Sequence, residues 1–194
     1  QIVHGMIAGY LELGREECLA AAVRAANWMI ASQDEDGCWR RNVHNGVPHT
    51  YNTRAAWALL RTGLMANEPR LVAAARRNIE WALTQQTASG WFRTNGFTAE
   101  QVPFTHTIAY AIRGILECGV LLDEARYVEA ALKAARGLAA QQRADGFLAG
   151  TYGDGWVPCA SYCCLTGLAQ CSLNWLRFDQ HTGSGEFTLA VGRG

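Results

Sequence analysis

The chain has 194 residues, about half of them hydrophobic, with 17 basic residues against 17 acidic ones. That length builds one domain with a real core, and that composition excludes a disordered chain. Zero net charge with no block of like charge excludes an electrostatic footprint for nucleic acid, and no apolar run approaches the ~20 residues of a membrane span.

No basic region followed by an apolar stretch opens the chain, so no signal peptide is expected and a cytoplasmic protein is the reading. Gln1 already stands in a helical pattern, as in a fragment or a processed chain. Of the seven cysteines, Cys159, Cys163, Cys164 and Cys171 cluster at helical spacing, which points to reduced thiols. A zinc site on Cys159 and Cys163 would lack two further ligands, so no metal and no cofactor is expected.

Residues 1–13 carry Ile2, Met6, Ile7, Tyr10 and Leu13 and stop at Gly14. Residues 15–33 continue with apolar positions at helical spacing. The segment 34–49 holds Gly37, Gly46 and Pro48 and reads as loop. A helix over 50–62 follows, with Gly63 as its C-cap. Then come helix 69–86, loop 87–104, helix 105–118 closed by Gly119, helix 124–142, loop 143–158 and helix 159–177. No strand shows convincing alternation. The end of the chain, Ser184 to Gly194, shows no helical pattern and is read as a tail (184–194) behind a repeat domain over 1–183.

The helices are of two kinds. Those at 15–33, 69–86 and 124–142 carry Arg, Glu, Gln and Lys on one face and should be outer helices. Those at 50–62, 105–118 and 159–177 are more apolar and should be inner ones. Markers recur with them. Gln33 and Gly37 reappear as Gln86 and Gly90, then as Gln142 and Gly146, while Pro48, Pro103 and Pro158 keep a constant 55-residue spacing. Such a period means helical hairpins stacked in a curved or closed array. The fold class is therefore all-α, with about three and a half hairpins. Inner-to-outer turns are short and outer-to-inner loops are long, so the long loops emerge at one end. Binding groups on a rigid scaffold belong on such loops.

The stretch Arg24 to Gln33, followed by Gly37-Cys38-Trp39, resembles the QW repeat of squalene–hopene cyclases. The second copy has Trp91 directly after Gly90, and the third has lost its Trp. The resemblance implies an α/α-toroid of the terpenoid cyclase and prenyltransferase kind, with Gln and Trp clamping neighbouring hairpins. The cyclases' Asp-rich DxDD motif is absent, and so is the Asp, Cys and His set of the zinc prenyltransferases. The stretches GVPHTYNTRAAWALL, PFTHTIAYAIRGILECG and CLTGLAQ are similar to squalene-cyclase-like repeat proteins of bacterial exopolysaccharide gene clusters. This similarity implies a carbohydrate connection and further hairpins on either side.

The candidate site lies at the long-loop end. His106 and His49, each beside a Thr where an inner helix begins, are candidate acids or bases, with Tyr51 and Asp154 as assistants. Trp39, Asn52, Arg54, Trp91, Arg93, Tyr110 and Trp156 are candidate substrate contacts. Aromatic faces stack on sugar rings, and polar groups read hydroxyls. Arg54 can hold a carboxylate of the substrate or pair with Asp154. Each His can equally brace loops through hydrogen bonds. The expected ligand is a carbohydrate or another small molecule, and open hairpin faces allow self-association. The readings are a glycan-binding or glycan-processing protein (lyase- or hydrolase-like), a non-catalytic scaffold, and a terpenoid-handling protein.

Overall fold

The computed structural model describes residues 1–193. Among the described residues, eight α-helices alternate in two layers. The inner layer is α1 (Ile2–Leu13), α3 (Thr53–Met65), α5 (Thr105–Leu122) and α7 (Leu165–Thr182). The outer layer is α2 (Glu16–Ala31), α4 (Pro69–Thr84), α6 (Ala125–Ala139) and α8 (Thr188–Arg193). Each inner helix packs on the outer helix that follows it, and α5 packs on both α3 and α7. Outer helices touch one another far less, so the array curves with the inner helices on its concave side.

The repeated geometry lies in the three corners that follow α2, α4 and α6. In each, the Gln side chain donates to its own Gly carbonyl or to the next outer helix. Gln33 reaches Gly37 O at 3.0 Å and Ala74 O at 2.9 Å, and Gln86 reaches Gly90 O at 3.1 Å and Ala130 O at 2.8 Å. Gln142 reaches Ala190 O at 3.2 Å. The clamp runs across hairpins, as the QW resemblance implies. Gly37, Gly90 and Gly146 have φ of +88°, +90° and +84° and lie against the backbone of the next outer helix. A Cβ on Gly37 would stand 2.3 Å from the Arg77 carbonyl. Only glycine combines that φ with that approach. The position after each corner is filled from the core: Trp39, Phe92 and Leu148 are all buried.

The structure corrects several boundaries. Gly63 and Gly119 do not end their helices, which run on to Met65 and Leu122. Both are contact points instead. A Cβ on Gly63 would meet Leu71 and Val72 at 3.0 Å, and one on Gly119 would meet Val128 at 2.8 Å. Helix α7 starts at Leu165, not 159, because residues 159–163 run extended beside 149–153. Gly150 N–H donates to Tyr162 O and Cys159 N–H to Thr151 O. The same loop folds a two-residue β-hairpin, β1 (Tyr152–Gly153) with β2 (Val157–Pro158). The C-terminal stretch read as a tail without helix contains α8. Its leading residue Phe187 is buried and stacks on Trp175 with 6.4 Å between ring centroids. Thus α8 fills the outer place of the fourth hairpin.

Apolar side chains stand exposed at both ends of the array: Ile2, Leu11, Leu13 and Trp28 at one, Leu165, Leu173 and Leu189 at the other. Among the described residues, no helix is long and apolar enough to cross a membrane.

Candidate functional site

The structure divides the candidate residues into three places. The first is a cavity of about 420 Å³ at the start of α5 and α7, lined by Phe97, Phe104, His106, Tyr110, Tyr162, Cys164 and Thr166. His106 lies in the first turn of α5 and Tyr110 one turn below it, so both point to the concave side. Phe97, from the second long loop, stands 5.6 Å from the His106 ring, and Phe104 stacks beside it at 5.6 Å. The imidazole Nδ1 lies 3.7 Å from the Cys164 sulfur, its one hydrogen-bond contact among the described residues. Partial burial lowers the His106 pKa below its ordinary value, so the ring is neutral near pH 7. The Arg54 guanidinium sits 4.7 Å over the Tyr110 ring and joins this cavity to the lumen below.

The second place is a smaller cavity of about 220 Å³ between α2 and the beginning of α3, lined by Trp28, Trp39, His44, His49, Tyr51 and Asn52 among others. His49 is fully buried. Its Nδ1 lies 2.9 Å from Gly96 O and its Nε2 2.8 Å from His44 O. Both ring nitrogens are taken up by backbone, which leaves none to move a proton on a substrate. Tyr51 stacks on His49 at 4.5 Å, and burial pushes its phenol up to about 12. Trp39 is buried, with its indole N–H donated to Met29 O at 2.8 Å. Asn52 caps the approach to α3, its N–H donated to His49 O. This region braces a loop.

The third place is the junction of the second and third long loops. Asp154 accepts from Thr87 and Ser89 at 2.9 and 3.3 Å. Those hydroxyls and the Gly155 N–H hold its carboxyl below the usual carboxylate range, so it is ionised and is no proton donor near neutrality. Trp156 donates its indole N–H to Ser89 O and Trp91 donates its own to Tyr152 O, both at 2.9 Å. Arg93 N–H donates to Gln85 O and its carbonyl accepts from Thr50. These four residues staple loops together and line neither cavity. Arg54 does not pair with Asp154.

Trp57, Arg61, Arg113 and Arg177 were not singled out from the sequence. Below Tyr110 the stripe on α5 continues with Arg113 and Glu117. Glu117 is buried and takes a fork from Arg177 of α7 at 2.9 and 3.3 Å. On α3, Arg54, Trp57 and Arg61 form the matching stripe. His4 of α1 lies 4.2 Å from Trp57, with its Nε2 3.2 Å from Arg54 O. The signal was available as i, i+3/i+4, i+7 spacing on both helices. Among the described residues, no three His, Cys, Asp or Glu side chains gather as metal ligands do.

No curated protein sequence matches the chain significantly. Among solved structures, the unsaturated glucuronyl hydrolase of Bacillus sp. GL1 superposes with a TM-score of 0.80 at 14% identity, over 99% of this chain and 58% of that one. A D-mannose isomerase does so with 0.78 at 11% identity, over 99% and 56%. The cellobiose 2-epimerase of Bacillus thermoamylovorans does so with 0.76 at 14% identity, over 98% and 56%. The chain thus spans a little over half the length of the structures it resembles, and the shared feature is the α/α-toroid fold. The squalene-hopene cyclase C-terminal domain family matches residues 3–116, more than half of the chain. The chain belongs to the squalene-hopene cyclase C-terminal domain family.

Proposed function

We propose that this chain binds and processes a glycan, with the reacting bond at the His106 cavity. The observation that carries the reading is the cavity itself. A half-buried neutral imidazole stands among Phe97, Phe104, Tyr110 and Tyr162, in a space of about 420 Å³ that suits a ligand of a few rings. The aromatic faces offer stacking surfaces for sugar rings. The imidazole can take a proton from a substrate hydroxyl or carbon and return it, and Tyr110 stands one turn away to orient the same group. The hydrolase, isomerase and epimerase named above act on saccharides by their own descriptions, through three different reactions. They support the class of substrate and leave the reaction to be found.

Fold alone decides nothing of this, since unrelated activities share it. A hydrocarbon substrate, as the cyclase family would suggest, is disfavoured by a lumen that carries Arg54, Arg61, Arg113, Glu117 and Arg177. Desolvating those charges against an isoprenoid would be costly. A pure scaffold is disfavoured because His106 and Tyr110 line one cavity, with Arg54 seated over the Tyr110 ring. The test is a binding and turnover screen across a glycan library with His106→Ala in parallel. Turnover on some member, lost in the variant while binding persists, is expected. Turnover unchanged in the variant removes His106 from the chemistry, and absence of binding across the library overturns the glycan reading.

A further inference from the structure

Below the His106 cavity, the concave face gathers positive charge that the rest of the chain does not compensate. Trp57 has three guanidiniums around its ring: Arg113 at 5.5 Å, Arg61 at 5.8 Å and Arg54 at 5.9 Å. With Arg177 they make four arginines against one carboxylate, Glu117. That carboxylate is spent on the Arg177 fork. Arg113 Nε comes within 2.8 Å of Glu117, but its N–H is not aimed at the oxygen. Arg54 and Arg61 have no acidic partner among the described residues.

The contrast with the outer surface is informative. Arg40 is paired with Asp34 and Asp36, Arg136 with Glu186 and Arg143 with Asp145, all near the outer surface. A chain with as many acids as bases thus places its acids where water already screens charge. It leaves Arg54 and Arg61, both partly buried, without an ion pair. Burial lowers the pKa of both Arg54 and Arg61 from the ordinary arginine value, a sign of that unpaid desolvation. Two donors here, Arg54 Nε and Trp57 Nε1, are buried without any hydrogen-bond partner. Buried donors of this kind are normally satisfied.

We propose that this floor seats an oxyanion carried by the glycan, a carboxylate or a sulfate ester, among the guanidiniums gathered around Trp57. The proposal rests on the glycan reading and names its substrate class as acidic saccharides. Arginine presents a planar fork that matches either anion. His4 completes the floor. Its Nε2–H donates to Arg54 O and its Nδ1 faces Arg61 at 3.4 Å, so the ring stays neutral and adds no repelling charge. Its pKa is lowered to about 4, chiefly by burial and further by the two arginines. From His106 to Arg113 is seven residues of one helix, or roughly 10 Å along its axis. The anion therefore anchors one part of the ligand while another part lies beside His106.

The test uses matched pairs on the full chain: an oligogalacturonate and its methyl ester, a sulfated oligosaccharide and its desulfated form, and inorganic sulfate alone. Calorimetry gives affinities, and thermal shift reports the stabilisation that binding to the folded state produces. One acidic member is expected to bind at least tenfold tighter than its neutral partner, with the preference falling at higher salt. Arg61→Gln and, separately, Arg54→Gln are expected to erase that preference while leaving the circular dichroism spectrum unchanged. On saturation, the His4 ring followed by NMR should titrate at higher pH than in the free protein. Equal binding of acidic and neutral partners, or a preference that survives both variants, overturns the anion seat and leaves the glycan reading standing. Sulfate that stabilises wild type but not Arg61→Gln, with no saccharide bound, keeps the seat and sinks the glycan reading. No binding of any probe sinks both.

Discussion

His49 and His106 flank threonines that occupy the same place in the repeat, yet the two histidines have opposite surroundings. Thr50 N–H donates to Thr94 O and its hydroxyl to Arg93 O; Thr105 N–H donates to Gly150 O and its hydroxyl to Ala149 O. The threonines are thus the register marks that tie each inner helix to the next long loop. His49 precedes its threonine, in extended backbone with φ −134°, and points into the loop. His106 follows its threonine, enters the helix and faces the lumen. A one-residue difference, PHTY against FTHT, separates a brace from a candidate catalyst. In repeat terms the counterpart of His106 is Tyr51, and the counterpart of His49 is Phe104.

The largest effects should fall on the lumen side. His106→Ala is expected to lower kcat by about 10²–10⁴-fold, the range for losing a general acid or base, with the melting temperature nearly unchanged. His49→Ala should do the reverse. It removes the imidazole that both carbonyls, Gly96 O and His44 O, face and empties a packed site, for a loss of about 2–4 kcal/mol. Activity measured below the lowered melting point should survive. If His49→Ala abolishes turnover in protein that remains folded, or His106→Ala mainly unfolds the chain, the division between the two regions is wrong.

The corners can be tested in the same terms. Gly37→Ala combines a positive φ with a Cβ 2.3 Å from the Arg77 carbonyl. It should cost about 3 kcal/mol, or roughly 6–12 °C in melting temperature for a chain of this size. Gln86→Ala is milder. It removes the bonds to Gly90 O and Ala130 O for about 1–2 kcal/mol. Both should leave acid–base chemistry at His106 intact once folding is restored by temperature. A Gln86→Ala protein that melts like wild type would show that the cross-hairpin clamp is ornamental.

The corners were the legible part of this molecule, because their requirements are local. Gln at one end is fixed by its bonds to the corner and the next helix, and Gly four positions later by its positive φ and close approach; repetition makes both visible. The paired α-helices followed from the same period. The lumen stripe was less legible. Arg54-Trp57-Arg61 and His106-Tyr110-Arg113-Glu117 have helical spacing, but they lie on helices whose other faces are apolar. Which face looks inward depends on the curvature of the array, which no single hairpin encodes. The aim of loop side chains was not legible at all. Asp154, Trp156, Trp91 and Arg93 have the composition of a sugar site, yet the first three side chains are taken up by the neighbouring loop and Arg93 is held there through its backbone. Chemical type says what a side chain can do, whereas its partners depend on how two distant loops meet. Gly63 and Gly119 misled for a related reason. A glycine near a helix end reads as a cap, but here its lack of a side chain serves the closeness of the partner helix.

The smallest effect concerns pH, and it separates lumen from loop by a different observable. His4 is held neutral in the folded chain, with its pKa lowered to about 4 by burial first and by Arg61 and Arg54 after that. In the unfolded chain an ordinary histidine titrates near 6.5. Between these values the unfolded state binds a proton that the folded state refuses, so stability must fall as pH falls through that window. The ring is partly exposed and solvent screens part of the cost, which leaves about 1–2 kcal/mol at pH 4.5 relative to pH 7. His4→Gln keeps a donor for Arg54 O and cannot take up the proton. Urea unfolding at both pH values should therefore show a smaller acid-induced loss in the variant than in wild type, by about 1–2 kcal/mol. Carboxylates elsewhere titrate in both proteins and cancel in the difference. An identical loss in the two proteins would mean that the lumen does not hold His4 neutral, and that the arginines around Trp57 are better solvated than their geometry implies.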